Sequence, residues 1–240
     1  WKIQPATAIL QAHTFQFIVL VSIIPAALAV LVLALGARDV ATAGPVRAPL
    51  LSLKGMDRRF ISFLIVVILF TLGNSSDAFI ILRGQERGLS LLQIMGMLMT
   101  FNFIYSLLSS PLGALSDRIG RRRLILGGWM TYAFVYLGFA LSHTGWQIWM
   151  LFGFYGIYYA ATEGTTRALI ADLVPVERRG TAYGLFNAAV GLMAFPASAL
   201  AGFLWQGAFG WNGFGPAAPF FFGAFMALCA GLLFWRLVRV

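Results

Sequence analysis

Gly113-Ala114-Leu115-Ser116-Asp117-Arg118-Ile119-Gly120-Arg121-Arg122-Arg123 separates two long apolar runs, roughly 91–115 and 122–141. A membrane-spanning helix needs ~20 mostly apolar residues, because ~30 Å of hydrocarbon is crossed at about 1.5 Å per residue. Both runs meet that length, so the stretch reads as a tight, basic turn joining two spans. Asp117 then falls at the C-terminal end of a helix, where the helix dipole disfavours an anion. It needs a partner, either the N-terminus of a neighbouring helix or Arg121 across the turn at Gly120. Gly113 is placed to let another helix approach closely.

Outward from this turn the pattern repeats. Seven segments are long and apolar enough to span, at roughly 15–36, 60–82, 91–115, 122–141, 147–171, 181–205 and 217–237. Over the 240 residues, 60% are hydrophobic and 10% charged. Soluble domains carry about 25% charged residues, and a core cannot hide this much apolar surface, so lipid is the solvent. The expected fold is all-α, a polytopic membrane helix bundle. The run from Phe15 to Leu35 is too long for a secretory signal and reads as a true span.

Several function classes are excluded by what the residues lack. Cys229 is the single cysteine, and His13 and His143 lie far apart outside the hydrocarbon, so no metal site is expected. The net charge of +9 is spread between apolar runs rather than clustered on one face, which argues against nucleic acid. No H-E-x-x-H, G-x-S-x-G or phosphate-gripping glycine loop occurs, so neither an enzyme nor a cofactor is expected.

The loops assign an orientation. Thirteen cationic residues fall on one side: Arg38, Arg47, Lys54, Arg58 and Arg59, then Arg118 and Arg121 to Arg123, then Arg178, Arg179, Arg236 and Arg239. Only Lys2, Arg83 and Arg87 fall on the other. By the positive-inside rule the first side is cytoplasmic, the N-terminus outside and the C-terminus inside, in the cell inner (plasma) membrane. Three domains are expected: an extracytoplasmic stub and helix at 1–37, a cytoplasmic linker at 38–59 with Pro45, Pro49 and Gly55, and a six-helix bundle at 60–240. A start at Trp1 and an outside N-terminus suggest a chain truncated at its N-terminus, with five further spans expected upstream.

The 113–123 stretch resembles the G-x-L-x-D-R-x-G-R-R loop of the major facilitator superfamily. The run Asp172-Leu173-Val174-Pro175-Val176-Glu177-Arg178-Arg179-Gly180-Thr181-Ala182-Tyr183-Gly184 is similar to that family's joint between helices ten and eleven. The Gly-Pro-Gly-Gly pattern of the fifth helix in family antiporters is not present, which favours the C-terminal half, helices six to twelve. The resemblance implies a secondary active transporter working by alternating access, with ion-coupled export of a small organic solute. Its implied partners are the lipid bilayer, the solute, protons and an N-terminal half of the same transporter. A different class stays open: a non-transporting scaffold or receptor subunit that keeps the bundle.

Charges within spans are the candidate functional groups, since each is expensive in hydrocarbon. Asp77, three residues after Asn74 and expected on the same helix face, is the first proton or cationic-solute candidate; the bland reading pairs it with Arg83 or with water. Glu163 and Arg167 stand in ion-pair register, as a structural pair or as a solute or proton site. Arg167 is expected to reach Asp117. Polar stripes point to a cavity: Asn102, Tyr105, Ser106 and Ser109 on one span, Tyr155, Tyr159, Thr162 and Thr166 on another, and Asn187 alone on a third. The cytoplasmic gate is expected from Gly113, Asp117, Arg118, Gly120, Arg121 and Arg122, with Glu163, Arg167, Asp172, Glu177 and Arg179. Gly180, Gly184 and Ala188, four apart, suggest close helix packing.

Overall fold

The computed structural model describes residues 52–208 and 210–238, with scattered positions between 20 and 36. The chain divides into two units, Trp1–Ala48 and Pro49–Val240. In the first, every described position is helical, in keeping with a span there. The expected stub, the start of that span, most of the 38–59 linker and Arg239 lie outside the described residues.

The second unit holds seven helices among its described residues: α1 (Arg58–Gly73), α2 (Ala78–Glu86), α3 (Leu91–Ile119), α4 (Arg121–Leu141), α5 (Gly145–Leu173), α6 (Arg179–Gln206) and α7 (Ala218–Leu237). Local chemistry explains their starts. Asp57 caps α1 by accepting from the Arg59 amide at 2.6 Å. Ser90 with Gln93, and Thr144 with Gln147, form reciprocal capping boxes for α3 and α5. The turn between α3 and α4 is Gly120 alone, at φ 93°, a left-handed conformation that side chains disfavour. Pro175 and a single 3-10 turn, Val176–Arg178, separate α5 from α6.

One expected span is corrected. The 60–82 segment is not a continuous helix: α1 ends at Gly73, and α2 begins at Ala78. The intervening Asn74-Ser75-Ser76-Asp77 is rich in side chains that hydrogen-bond nearby backbone and so compete with a helix. Among the described residues, five stretches are long and apolar enough to cross a membrane: Arg58–Glu86, Leu91–Ile119, Arg121–Leu141, Val176–Gln206 and Ala218–Leu237. α5 has the length, but its Trp, Tyr and Thr residues and its Glu163–Arg167 pair dilute its hydropathy. That composition suits its position, packed along both α3 and α4 rather than facing lipid all round.

Packing runs in an open ring: α3 on α5, α5 on α4, α4 on α7, α7 on α1, and α1 on α6. Aromatic rings cluster at the centre of the interior. Phe70 stacks on Trp129 at 4.7 Å between centroids, Tyr132 stacks on Tyr136 at 4.0 Å, and Tyr155, Phe139 and Phe220 are fully buried beside them. Close approach of α1 and α7 depends on glycine: a Cβ on Gly223 would lie 2.6 Å from the Gly73 carbonyl oxygen. By contrast, α3 and α6, the two ends of the ring, leave most of their surface uncovered within this unit. Two expected close-packing glycines are corrected here. A Cβ on Gly113 or Gly180 would meet nothing within 4 Å, and on α6 the buried small residues are Ala182, Ala197 and Ala201.

Candidate functional site

Three groups of polar side chains are positioned by this ring. The first is the break between α1 and α2. The Tyr155 hydroxyl on α5 donates to Asp77 Oδ1 at 3.0 Å. The Tyr132 hydroxyl on α4 donates to the Gly73 carbonyl at 3.0 Å and reaches Asn74 Oδ1 at 3.5 Å. Tyr132 thus meets a backbone carbonyl at the end of the helix while Tyr155 meets the Asp77 side chain, and such partners are how non-helical backbone is tolerated at membrane depth. The Ser76 amide donates to Ser198 Oγ on α6 at 3.3 Å.

The second group lies where α5 meets α3 and α6. Arg167 donates to Glu163 Oε1 at 3.4 Å, and the Tyr105 hydroxyl on α3 donates to Glu163 Oε2. The Tyr183 hydroxyl on α6 donates to the Arg167 carbonyl at 3.0 Å. A cavity of about 250 Å³ lies on one side, walled by Phe70, Trp129, Tyr158, Tyr159 and Phe186, with Asn74 and Thr71 in its lining. A second, of about 230 Å³, lies toward α3, beside Tyr105 and Ser109. Tyr159, Glu163 and Arg167 line both.

The third group is the Arg-rich end of the bundle. Arg121, at the start of α4, donates to the Asp172 carboxylate and the Ala168 carbonyl at the end of α5. Asp117 stands 3.7 Å from the same guanidinium. Arg122 donates to the Trp235 carbonyl near the end of α7, and Arg178 to the carbonyls of Lys54 (3.1 Å) and Gly55. Arg122 and Arg178 meet carbonyls at a helix end and a turn, and Arg121 lies over the last turns of α5, a favourable place for cations.

The family model described as Major Facilitator Superfamily matches residues 50–240. The chain belongs to that superfamily. An uncharacterized MFS-type transporter of Methanocaldococcus jannaschii is 35% identical over 187 residues, which cover 75% of this chain and 45% of the relative. The chain therefore spans about half the length of the curated relative it matches. Membership makes it a multi-pass membrane protein of a transport family rather than an enzyme family.

Several predicted positions of this superfamily chain change their surroundings in the structure. Asn74 and Asp77 do not share a helix face, because no helix joins them. Asp77 is not paired with Arg83, which is fully buried elsewhere, donating to the carbonyls of Phe139 (3.2 Å), Ala140 (3.0 Å) and Ser142 (3.3 Å) and to Glu86 (2.7 Å). Arg167 pairs with Glu163 rather than reaching Asp117, whose cation is Arg121. Tyr155 is buried in the aromatic core rather than lining a cavity. Thr162 lines the first cavity but turns its hydroxyl to the Tyr158 carbonyl at 2.8 Å. Asn102 bonds back to the Leu98 carbonyl of its own helix, and it and Asn187 are exposed outside both cavities. Arg118 and Glu177 are exposed, while Arg179 is half-buried.

Sequence reasoning missed Arg83, Tyr132, Tyr183 and the carbonyl partners of Arg122 and Arg178. A lone Arg in an otherwise apolar turn of helix signalled Arg83. Nothing in sequence signals which helix end a guanidinium will cap.

Proposed function

We propose that this chain is the C-terminal portion of a secondary transporter that moves a small organic solute by alternating access, coupled to an ion and directed outward. The carrying observation is the placement of two cavities around one charged pair, Glu163–Arg167, beside the uncovered surfaces of α3 and α6. A solute site between helices, with an N-terminal half of the transporter covering those surfaces, fits that arrangement. Rocking of one half against the other would expose the cavities to each side in turn. The Arg-rich end is read as cytoplasmic, with the first unit as the family's sixth helix and residues 38–59 as the central linker. There Arg121 with Asp172 and Asp117 would form the gate. Asp77, held by Tyr155 at a helix break, is the first candidate for the coupling proton.

The test is solute flux in sealed vesicles containing the gene product translated with its upstream sequence. Gradient-driven movement that Asp77→Asn uncouples, with the protein still inserted, supports the reading. Partner binding with no flux for any solute would replace it with a scaffold. Cysteine labelling in a Cys229→Ser background tests orientation: a cysteine at the exposed Arg118 position reacting only from outside the cell would reverse the topology.

A further inference from the structure

We infer that Arg167 is the head-group anchor of the solute site and that its ligand is a small organic anion with a ring-sized apolar body. The inference deepens the transport reading only in taking the ligand to be a solute. Glu163 is held on both oxygens, by Arg167 on one and by the Tyr105 hydroxyl on the other. Arg167 is not matched in return. Its side chain is 64% exposed, makes a single hydrogen-bonded ion pair among the described residues, at 3.4 Å, and lines both cavities. Five N–H donors lie in a rigid plane on such a group, and one is engaged. That fork suits a carboxylate, which it can grip through two parallel hydrogen bonds.

The surroundings set the rest of the ligand. Glu163 and Arg167 are the charged residues lining the first cavity, so its net charge is zero when empty. An incoming anion would take Arg167 from Glu163, leaving the carboxylate on Tyr105. An ion pair this exposed adds little stability, so the exchange is cheap. The same cavity is lined by the aromatic residues Phe70, Trp129, Tyr158, Tyr159 and Phe186, which favour a flat apolar body over a sugar or a bare inorganic ion. Glu163 is thus a positioning residue and an internal competitor, not a ligand contact.

The experiment uses the full chain in phosphatidylcholine nanodiscs and three probes sharing one ring: benzoate, benzylamine and benzyl alcohol. Affinities are read by saturation-transfer NMR, with monodispersity and melting temperature confirming that each variant is folded. Benzoate is expected to bind best. Arg167→Gln is expected to weaken benzoate by about tenfold, the scale of a lost charge-assisted hydrogen bond. Arg167→Lys should fall between, keeping charge without the fork. Glu163→Gln should tighten benzoate about two- to fivefold, since it removes a competitor of surface-pair strength. No benzoate binding, a preference for benzylamine, indifference to Arg167→Gln, or loss of binding in Glu163→Gln each overturns the assignment. Flux of some solute without benzoate binding would sink the anion site and leave transport standing. Benzoate binding with no flux of any solute would do the reverse.

Discussion

The hydroxyl of Tyr155 lies 3.0 Å from Asp77 Oδ1, joining the middle of α5 to the break between α1 and α2. Tyr155 is fully buried, so Tyr155→Phe strands the carboxylate against a ring with no donor. We expect a loss of about 1–3 kcal/mol, the range for a polar group left without its partner. Thermal unfolding in detergent reads it. Asp77→Asn, which still accepts from Tyr155, should lose less than Tyr155→Phe.

Arg83 staples α2 onto the C-terminal end of α4. Its guanidinium meets the carbonyls of Phe139, Ala140 and Ser142 at that helix end, and only the Phe139 carbonyl has a second described side-chain donor, the Ser142 hydroxyl at 2.9 Å. Arg83→Ala should lower stability by about 2–4 kcal/mol, since several buried acceptors lose their donor at once. Hydrogen exchange should localise the loosening to 78–89 and the 139–142 turn. Uniform exchange across the bundle would contradict the staple.

Arg121 and Asp172 join α4 to α5 at partly exposed positions. Each single alanine substitution should change the melting free energy by no more than about 1 kcal/mol. The double substitution should then cost less than the sum of the singles, because both remove one contact. Full additivity would mean the pair is not coupled in solution.

Gly223 and Gly113 make opposite predictions for the same change. At Gly223 a methyl would press within 2.6 Å of the Gly73 carbonyl and the Tyr136 ring. Gly223→Ala should therefore destabilise by about 1–3 kcal/mol through overpacking. Gly113→Ala meets open space and should be neutral or gain up to about 1 kcal/mol from helix propensity. Equal melting temperatures for the two would count against the α1–α7 contact.

The sequence by itself determined that lipid surrounds this chain, where the long helices run, and that the 113–123 turn is a superfamily signature. Those conclusions rest on composition, run length and local spacing, which act over a few residues and survive any arrangement of neighbours. Glu163 and Arg167 were legible as a pair for the same reason: four residues apart is a fixed distance on a helix. The 60–82 segment misled because its apolar content is that of a span, while the break depends on Tyr132 arriving from α4 to meet the Gly73 carbonyl and Tyr155 arriving from α5 to meet the Asp77 carboxylate. Only the tertiary structure decided which cation meets which acceptor. Arg83 caps α4 and Arg121 holds Asp172 because long side chains choose among helix ends brought close by packing 47–59 residues away in the chain. Partners at that separation leave no periodic trace in the sequence, whereas the apolar runs that force the helices together do.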